Sequence, residues 1–568
     1  MTSNTTFGQP TSGAADSRQR TVIVGGVAGG MSTAARLRRV DEHMEIIVLE
    51  SSGYVSFANC GLPYYLGQII EERDALLLQT PESLRARFDI DVRVNQTATA
   101  IDRENKTLAV QANGESYDLT YDYLVLSPGA SPFIPPIPGI ERAYTLRNIE
   151  DTDAISAALA DKPKSAVIIG GGFIGLEVAE NFIQRDIETT IIEASPQIMG
   201  PLDPEMAQII KQHLVDNGVK VLTGEQVNDI TDTAVKTANG LEIPADVVIS
   251  AVGVRPNDQL ARDAGIEVGE RGGILVDDQL RTSDSHIFAL GDAALKKDAN
   301  SGSPVLIPLA QTANRHSRPV ADVIAGRTGT DVGTRPTMGT SVVELFGLVA
   351  ASVGWNEKRA TAELGADGPF DVVHLHPQNH AGYYPGATQL HMKLIFHTET
   401  FKILGAQVVG MNGADKRIDV IATAMQAGMR AWQLADVELA YSPQVGSAKD
   451  PVNLAGFIVD NRRNGQKSVQ WHEVDSLVKD GWMLIDVRTK GEFEAGTIPG
   501  AVNIPVDELR DRVAEIPEGA KVIAQCQVGL RGNVATQMLR ARGVEVANLD
   551  GGYLTWKFGI ASQVGQDS

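Results

Sequence analysis

Cys60 and Cys526 are the only cysteines among 568 residues, and each stands in a segment suited to a reactive thiol. Two thiols cannot build a disulfide framework, and so low a count fits a reducing compartment. It also excludes a Cys-rich zinc or iron–sulfur site, so no metal is expected. A cysteine with no further context is a small buried hydrophobe, so the neighbours must decide. Cys60 lies in SFANCGLPYY (56–65) with no second cysteine near it. A single thiol there can cycle through a mixed disulfide, a persulfide or a sulfenic acid. Cys526 lies in VIAQCQVGLRG (522–532). This reads as a buried strand, a loop from Cys526 to Arg531 and a helix from Val534 to Arg542. Loop amides and a helix N-terminus there would stabilise a thiolate or an anionic persulfide.

The elements that must position these thiols are legible around two glycine turns. TVIVGGVAGG (21–30) reads as a strand, a tight turn and a helix start, with the helix running through Met31–Val40 and a second strand ending at Glu50. The pattern returns at 166–193: strand AVIIG, turn GGGFIG, helix through Gln184, strand TTIIE. Two such βαβ units imply two doubly wound nucleotide-binding domains. In the second, Gly170, Gly172 and Gly175 fit G-x-G-x-x-G, and Glu193 falls 18 residues after Gly175. A carboxylate at that strand end accepts from both ribose hydroxyls and repels a 2′-phosphate, so NADH is expected ahead of NADPH. In the first unit Gly25 and Gly30 fit, Val27 takes the central position, and Glu50 follows Gly30 by 20 residues.

Composition sets the outer limits. Hydrophobic residues make up 43% and charged residues 21%, ordinary for a globular protein with large cores. A formal net charge of -21 argues against nucleic acid or anionic membranes as partners. No run reaches the roughly 20 apolar residues of a membrane helix. Residues 1–20 are polar and read as a disordered tail. The apolar run Thr21–Ala35 belongs to the first strand and helix rather than a signal peptide, so a cytoplasmic protein is expected. From about Thr334 short strands alternate before a helical stretch at 414–430, an α+β pattern. NRRNGQKSVQ (461–470) reads as a linker, and 471–562 as a small α/β domain.

Further segments carry a family resemblance. TSDSHIFALGDAA (282–294) and YDYLVLSPGASP (121–132) resemble the later FAD-binding segments of two-dinucleotide flavoproteins. That resemblance implies FAD held by residues 21–140 and 272–333, with Asp292 on the ribityl chain and Gly129 and Ala313 also at the cofactor. It implies an NADH domain at 141–271 and a dimerisation domain at 334–460. Residues 20–460 resemble the coenzyme A-disulfide reductase branch, which includes NADH-dependent persulfide reductases. By that resemblance Ser32, Arg36, Arg39, Ser56, Asn59 and Asn314 line a coenzyme A channel. HAGYYPG (380–386) and ELAYSPQVGSAKDPVN (438–453) imply that Tyr383, Tyr441 and Lys449 reach the Cys60 site from the second subunit of a homodimer. The adjacent Tyr384 leaves open which tyrosine points inward.

The Cys526 loop, with LIDVRTKGEFEAGTIPGAVNIP (484–505) and DGGYLTW (550–556), resembles rhodaneses. That implies Cys526 and Arg531 at the active site, and Asp486 and Arg488 as scaffold. With one basic residue in the loop, a thiol-bound persulfide is a better donor than thiosulfate. The expected fold is therefore α/β: two Rossmann-like domains, an α+β dimerisation domain and a rhodanese-like domain. The expected function is an FAD-dependent, NADH-driven reductase of coenzyme A disulfide, coenzyme A persulfide or related persulfides and polysulfides. The alternatives are an NADH oxidase or peroxidase using a Cys60 sulfenic acid, and a non-enzymatic redox sensor.

Overall fold

The computed structural model describes residues 18–327 and 333–563. Strand Arg20–Val24 lies at the centre of a five-stranded parallel sheet, paired with Glu45–Leu49 on one side and Tyr123–Leu126 on the other. Its near-continuous apolar run suits a strand covered on both faces. Helix Ala28–Val40 follows the first glycine turn and packs along helix Ala310–Ile324. The sheet is completed by Ile287–Ala289, which arrives only after the chain has built its second unit. That return brings Asp292 to the same carboxyl edge of the sheet as Gly25, where doubly wound sheets bind ligands.

The second unit has four parallel strands in the order Lys220–Thr223, Glu188–Glu193, Ser165–Ile169, Val247–Ser250, with helix Phe173–Ile183 rising from the glycine turn. Beyond it, five antiparallel strands run in the order Ser341–Leu345, Leu348–Gly354, Ile403–Gly410, Leu390–His397, Phe370–Leu375. Helices Ala414–Gln426 and Pro451–Arg463 pack against this sheet. The C-terminal domain is a five-stranded parallel sheet with Lys521–Gln525 in the middle and helices between its strands.

Three expected boundaries change. Residues 1–17 of the expected tail lie outside the described residues, and Arg20 already opens the first strand. The expected linker 461–470 is largely structured. Residues 461–463 finish helix Pro451–Arg463, and Ser468–Val469 pairs with Asn548–Leu549 as an edge of the C-terminal sheet. Its polar composition misleads because Arg462 and Arg463 occupy a last helical turn, where cations are favoured, and Arg462 is buried in ion pairs with Asp371 and Asp550. The helix after Cys526 starts earlier than expected, at Leu530, because Gly529 with φ +88° turns the chain into it. Arg531 therefore sits in the first helical turn.

The C-terminal domain is joined to the rest by buried charge. His374 Nδ1 lies 2.7 Å from Asp550 Oδ2, and its Nε2 lies 2.9 Å from Glu205 Oε1. Burial opposes a charged ring, but hydrogen bonds with Asp550 and Glu205 lift its pKa to about 9. Beside it the Lys393 ammonium lies 2.8, 2.6 and 2.7 Å from Asp203, Glu205 and Glu357. Those three carboxylates are close enough to hold a metal, but the lysine already supplies the cation. His376 Nε2 meets Thr555 Oγ1 at 2.7 Å, and its Nδ1 meets His391 at 2.9 Å. Burial keeps both rings neutral, with His391 pushed down to about 4. Helix Gly552–Gln563 also packs on helix Pro204–Asp216 of the second unit.

Candidate functional site

The two glycine turns are built alike. Gly25 has φ +103° and Gly170 φ +110°, conformations that L side chains avoid. A Cβ on Gly30 would stand 1.9 Å from the Gly25 carbonyl oxygen, and one on Gly175 would stand 2.1 Å from that of Gly170. Each terminal acid braces its own turn. Glu50 accepts from the Gly26 amide at 2.7 Å and the Ser52 amide at 2.9 Å. Glu193 accepts from Gly171 and Ser195, both at 2.7 Å. A carboxylate has about four acceptor sites, so each keeps capacity for ribose hydroxyls. A Cβ on Gly172 would meet no protein atom within 4 Å, which leaves room for a pyrophosphate. In the first unit Val27 stands at the corresponding place.

Asp292 lies in a short turn, Gly291–Ala293, against Ala313. Burial raises its pKa, and Lys296 and Arg147 draw it back down. Among the described residues no donor reaches this carboxylate, which fits a hydroxyl-bearing cofactor chain. Buried Lys296, which the sequence reading missed, donates to the carbonyls of Gly291 at 2.6 Å and Ala294 at 3.2 Å. Burial lowers its pKa to about 8. Gly129, at φ +69°, lies where a Cβ would collide with the Arg147 guanidinium. The residues present therefore fit FAD in the first unit and a nicotinamide dinucleotide in the second.

Cys60 sits on a single 3₁₀ turn, Asn59–Gly61, leading into helix Leu62–Leu66. The Ser56 amide donates to the Gly26 carbonyl at 2.9 Å, with Ser56 at φ +46°, which ties this segment to the first glycine turn. Asn59 Nδ2 donates to the Arg147 carbonyl at 3.2 Å. The cysteine is exposed, yet protein close around the sulfur pushes the thiol pKa up, and Glu177 and Asp292 push it further. Glu177, on helix Phe173–Ile183 of the second unit, accepts from the Tyr64 hydroxyl at 3.4 Å and is raised to about 7 by burial. Sequence reading missed Glu177 and Tyr64, although Glu177 follows the glycine motif by two residues. A thiol so placed faces acids from both dinucleotide units.

The expected substrate residues divide. Ser32 Oγ hydrogen-bonds Asn314 Oδ1, linking helices Ala28–Val40 and Ala310–Ile324. Arg36 is occupied by Asp322, 2.7 Å away. Arg39 is exposed and, among the described residues, donates only to the Ala35 carbonyl of its own helix. Tyr383 and Tyr441, 76% and 48% exposed, share a hydroxyl–hydroxyl hydrogen bond of 2.9 Å. Tyr384 instead accepts from Gln444 at 3.1 Å, so Tyr383 is the one that joins Tyr441. Lys449 is exposed nearby in sequence and has no ion pair among the described residues.

Cys526 directly follows the central C-terminal strand Lys521–Gln525 and is 1% exposed. Its carbonyl accepts from the Tyr553 amide at 2.8 Å. Arg531 lies near the thiol and is clamped by Glu492, which the sequence reading missed. Arg488 binds Asp486 at 2.7 Å, the Gly496 carbonyl at 2.7 Å and Gln527 at 2.9 Å. It is a scaffold beneath the loop.

Comparison with known proteins agrees with this arrangement. The pattern of the pyridine nucleotide-disulphide oxidoreductases matches residues 19–317, and that of their dimerisation domain matches 340–450. The chain belongs to the pyridine nucleotide-disulphide oxidoreductase family. A rhodanese-like domain matches residues 470–558. The coenzyme A disulfide reductase of Staphylococcus haemolyticus is 33% identical over 77% of this chain and 99% of its own length. The reduced CoADR-RHD of Bacillus anthracis is 45% identical, with a TM-score of 0.93 over 96% of this chain and 98% of that one. The NAD-dependent persulfide reductase of A. fulgidus is 36% identical, with a TM-score of 0.88 over 95% of this chain and 100% of that one. This oxidoreductase thus has the expected α/β architecture, with dimerisation and rhodanese-like domains. No helix among its described residues is long and apolar enough to cross a membrane.

Proposed function

We propose that this oxidoreductase uses NADH to reduce coenzyme A disulfide, coenzyme A persulfide or a related persulfide through Cys60, while Cys526 carries sulfane sulfur. The observation that carries the reading is the exposed, unpaired Cys60 thiol, tied through Ser56 to the first glycine turn and facing Glu177 of the second unit. The relatives named as coenzyme A disulfide and persulfide reductases support the choice of substrate. Bound FAD supplies two-electron chemistry, coupling oxidation of a nicotinamide to reduction of a sulfur–sulfur bond. Gly25, Gly30, Glu50, Gly129, Asp292 and Ala313 hold it, and Gly170, Gly172, Gly175 and Glu193 hold NADH.

The Cys60 thiolate attacks one sulfur of R–S–S–R′ and forms a Cys60–S–S–R mixed disulfide, releasing R′–S⁻. With a persulfide, attack on the inner sulfur releases hydrosulfide. Two electrons and a proton then free R–SH and restore the thiolate. Glu177, titrating near neutrality, limits repulsion of that thiolate when it is protonated. Tyr383 and Tyr441, supplied with Lys449 by the second copy of a homodimer, hydrogen-bond the leaving thiolate. Ser32, Asn59 and Asn314 with Arg36 and Arg39 hold the coenzyme A moiety, Arg36 sharing its charge with Asp322. Stopped-flow mixing of the NADH-reduced enzyme with coenzyme A persulfide or disulfide tests this. Cys60→Ser should keep flavin reduction by NADH and lose sulfur-dependent reoxidation. Normal turnover by that variant would reject the reading. Faster wild-type turnover with oxygen or peroxide would replace it with an oxidase or peroxidase using a Cys60 sulfenic acid.

A further inference from the structure

The charge balance around Cys526 points to a choice among sulfur donors, an inference that rests on reading Cys526 as a sulfane-sulfur carrier. Arg531 is the basic residue of the loop, and its guanidinium is bound by both oxygens of Glu492, Nη1 to Oε2 at 2.8 Å and Nη2 to Oε1 at 2.6 Å. Glu492 is fixed in turn by the Thr489 amide and hydroxyl, at 3.0 and 2.9 Å. Hydrogen bonding from Arg531 holds its pKa down at about 2, so it is anionic at any working pH. The other guanidinium beneath the loop, Arg488, is committed to Asp486, Gly496 and Gln527.

The thiol is buried, so an entering donor sheds water before it reacts. Leu530 and Val534, 69% and 43% exposed, lie four residues apart on one face of the helix that follows and make part of the loop's surroundings apolar. A dianion entering here gives up its hydration and meets no uncommitted cation among the described residues, which is costly. The sulfur end of an alkyl persulfide carries at most one charge and is slender.

We propose that Glu492 sets the donor specificity of Cys526: by cancelling the Arg531 charge it turns the site away from thiosulfate-like dianions and toward the terminal sulfur of an alkyl persulfide. The Cys526 thiolate attacks the outer sulfur of R–S–SH. The donor S–S bond breaks, Cys526–S–SH forms, and R–S⁻ leaves and takes a proton from water. Sulfane sulfur moves with no net gain or loss of electrons.

The test uses the intact flavoprotein without NADH, with cyanide as acceptor and thiocyanate as product. Thiosulfate and N-acetylcysteamine persulfide are the two donors. The wild type should show the higher kcat/KM with the persulfide. Glu492→Gln should raise the thiosulfate-to-persulfide ratio roughly tenfold at low ionic strength, and the gain should shrink as salt rises. A purely structural role for Glu492 would not give that salt dependence. Arg531→Gln, leaving Glu492 uncompensated, should push the ratio below the wild-type value. NADH-dependent flavin reduction reports that each variant is folded. A wild-type preference for thiosulfate, an unchanged ratio in Glu492→Gln, or a ratio that holds or rises in Arg531→Gln overturns the inference. Thiocyanate formation that survives Cys526→Ser overturns the carrier reading itself, whereas its loss there with an unchanged Glu492→Gln ratio overturns only the donor assignment.

Discussion

Asp550→Asn is the perturbation that best probes how the C-terminal domain is held. The substitution keeps the shape of the side chain and removes its charge. Lifting the His374 imidazole from 6.5 to about 9 amounts to roughly 3 kcal/mol of preference for the charged ring. Asp550 and Glu205 share that preference, so the Asp550 part is about 1.5 kcal/mol. Arg462 also loses one of its two carboxylate partners, keeping Asp371, at a cost of about 1.5 kcal/mol for a hydrogen bond to a charged group. The combined loss is about 3 kcal/mol, comparable to breaking a buried ion pair, and it shifts the docking equilibrium roughly a hundredfold.

Amide hydrogen exchange in helix Gly552–Gln563, corrected for intrinsic rates, reads that shift directly, and proteolysis at residues 464–467 gives a second measure. The pH dependence has a definite sign. His374 has a raised value, so its stabilisation is complete below about pH 6.5 and fades as pH climbs through about 9. The gap between Asp550→Asn and wild type must therefore narrow on the alkaline side toward the share that belongs to Arg462. His376 and His391 have lowered values, so their contribution is present above about pH 6.5 and fades as pH falls. Wild-type docking is then tightest near neutrality. Exchange in Asp550→Asn within about twofold of wild type at pH 7 would refute the reasoning.

Lys393→Met leaves Asp203, Glu205 and Glu357 facing one another without a cation. It should cost about 3–5 kcal/mol and appear as a clearly lowered midpoint of thermal unfolding. Gly172→Ala and Gly175→Ala separate ligand room from fold room. A Cβ at 172 meets no protein atom, so that variant should keep its melting temperature and raise the KM for NADH; the collision of Cβ at 175 with the Gly170 carbonyl should lower both stability and NADH binding.

Local periodicity and glycine spacing made the two dinucleotide units readable, because Gly25, Gly30, Gly170 and Gly175 answer to backbone geometry within a few residues of themselves. Asp292 was readable through the resemblance of TSDSHIFALGDAA (282–294) to the later FAD-binding segment of two-dinucleotide flavoproteins. What escaped was made by residues distant in sequence that no resemblance had brought together. Glu492 reads as the acid of a helix-capping box with Thr489, and nothing local says that its carboxylate also clamps Arg531. Arg462 looks like linker polarity until Asp371 and Asp550 come up beside it. His374, His376 and His391 alternate along strands as unremarkable histidines, and only the packing of three domains makes one charged and two neutral. Glu177 stands beside a motif that reading stopped at, and its proximity to Cys60 depends on how two domains close together.

The buried joint around His374 also bears on how freely these domains could be exchanged. A sulfur-transfer domain grafted from another chain would have to bring a carboxylate to the place of Asp550 and a hydroxyl to the place of Thr555, or it would strand an imidazolium and a guanidinium on a closed surface. Severing the chain at residues 464–467 would leave His374, His376 and Arg462 newly wetted on the reductase. Substitutions on the two sides of this joint are therefore expected to be tolerated in pairs and resisted singly, and the two halves are constrained to vary as one inherited unit.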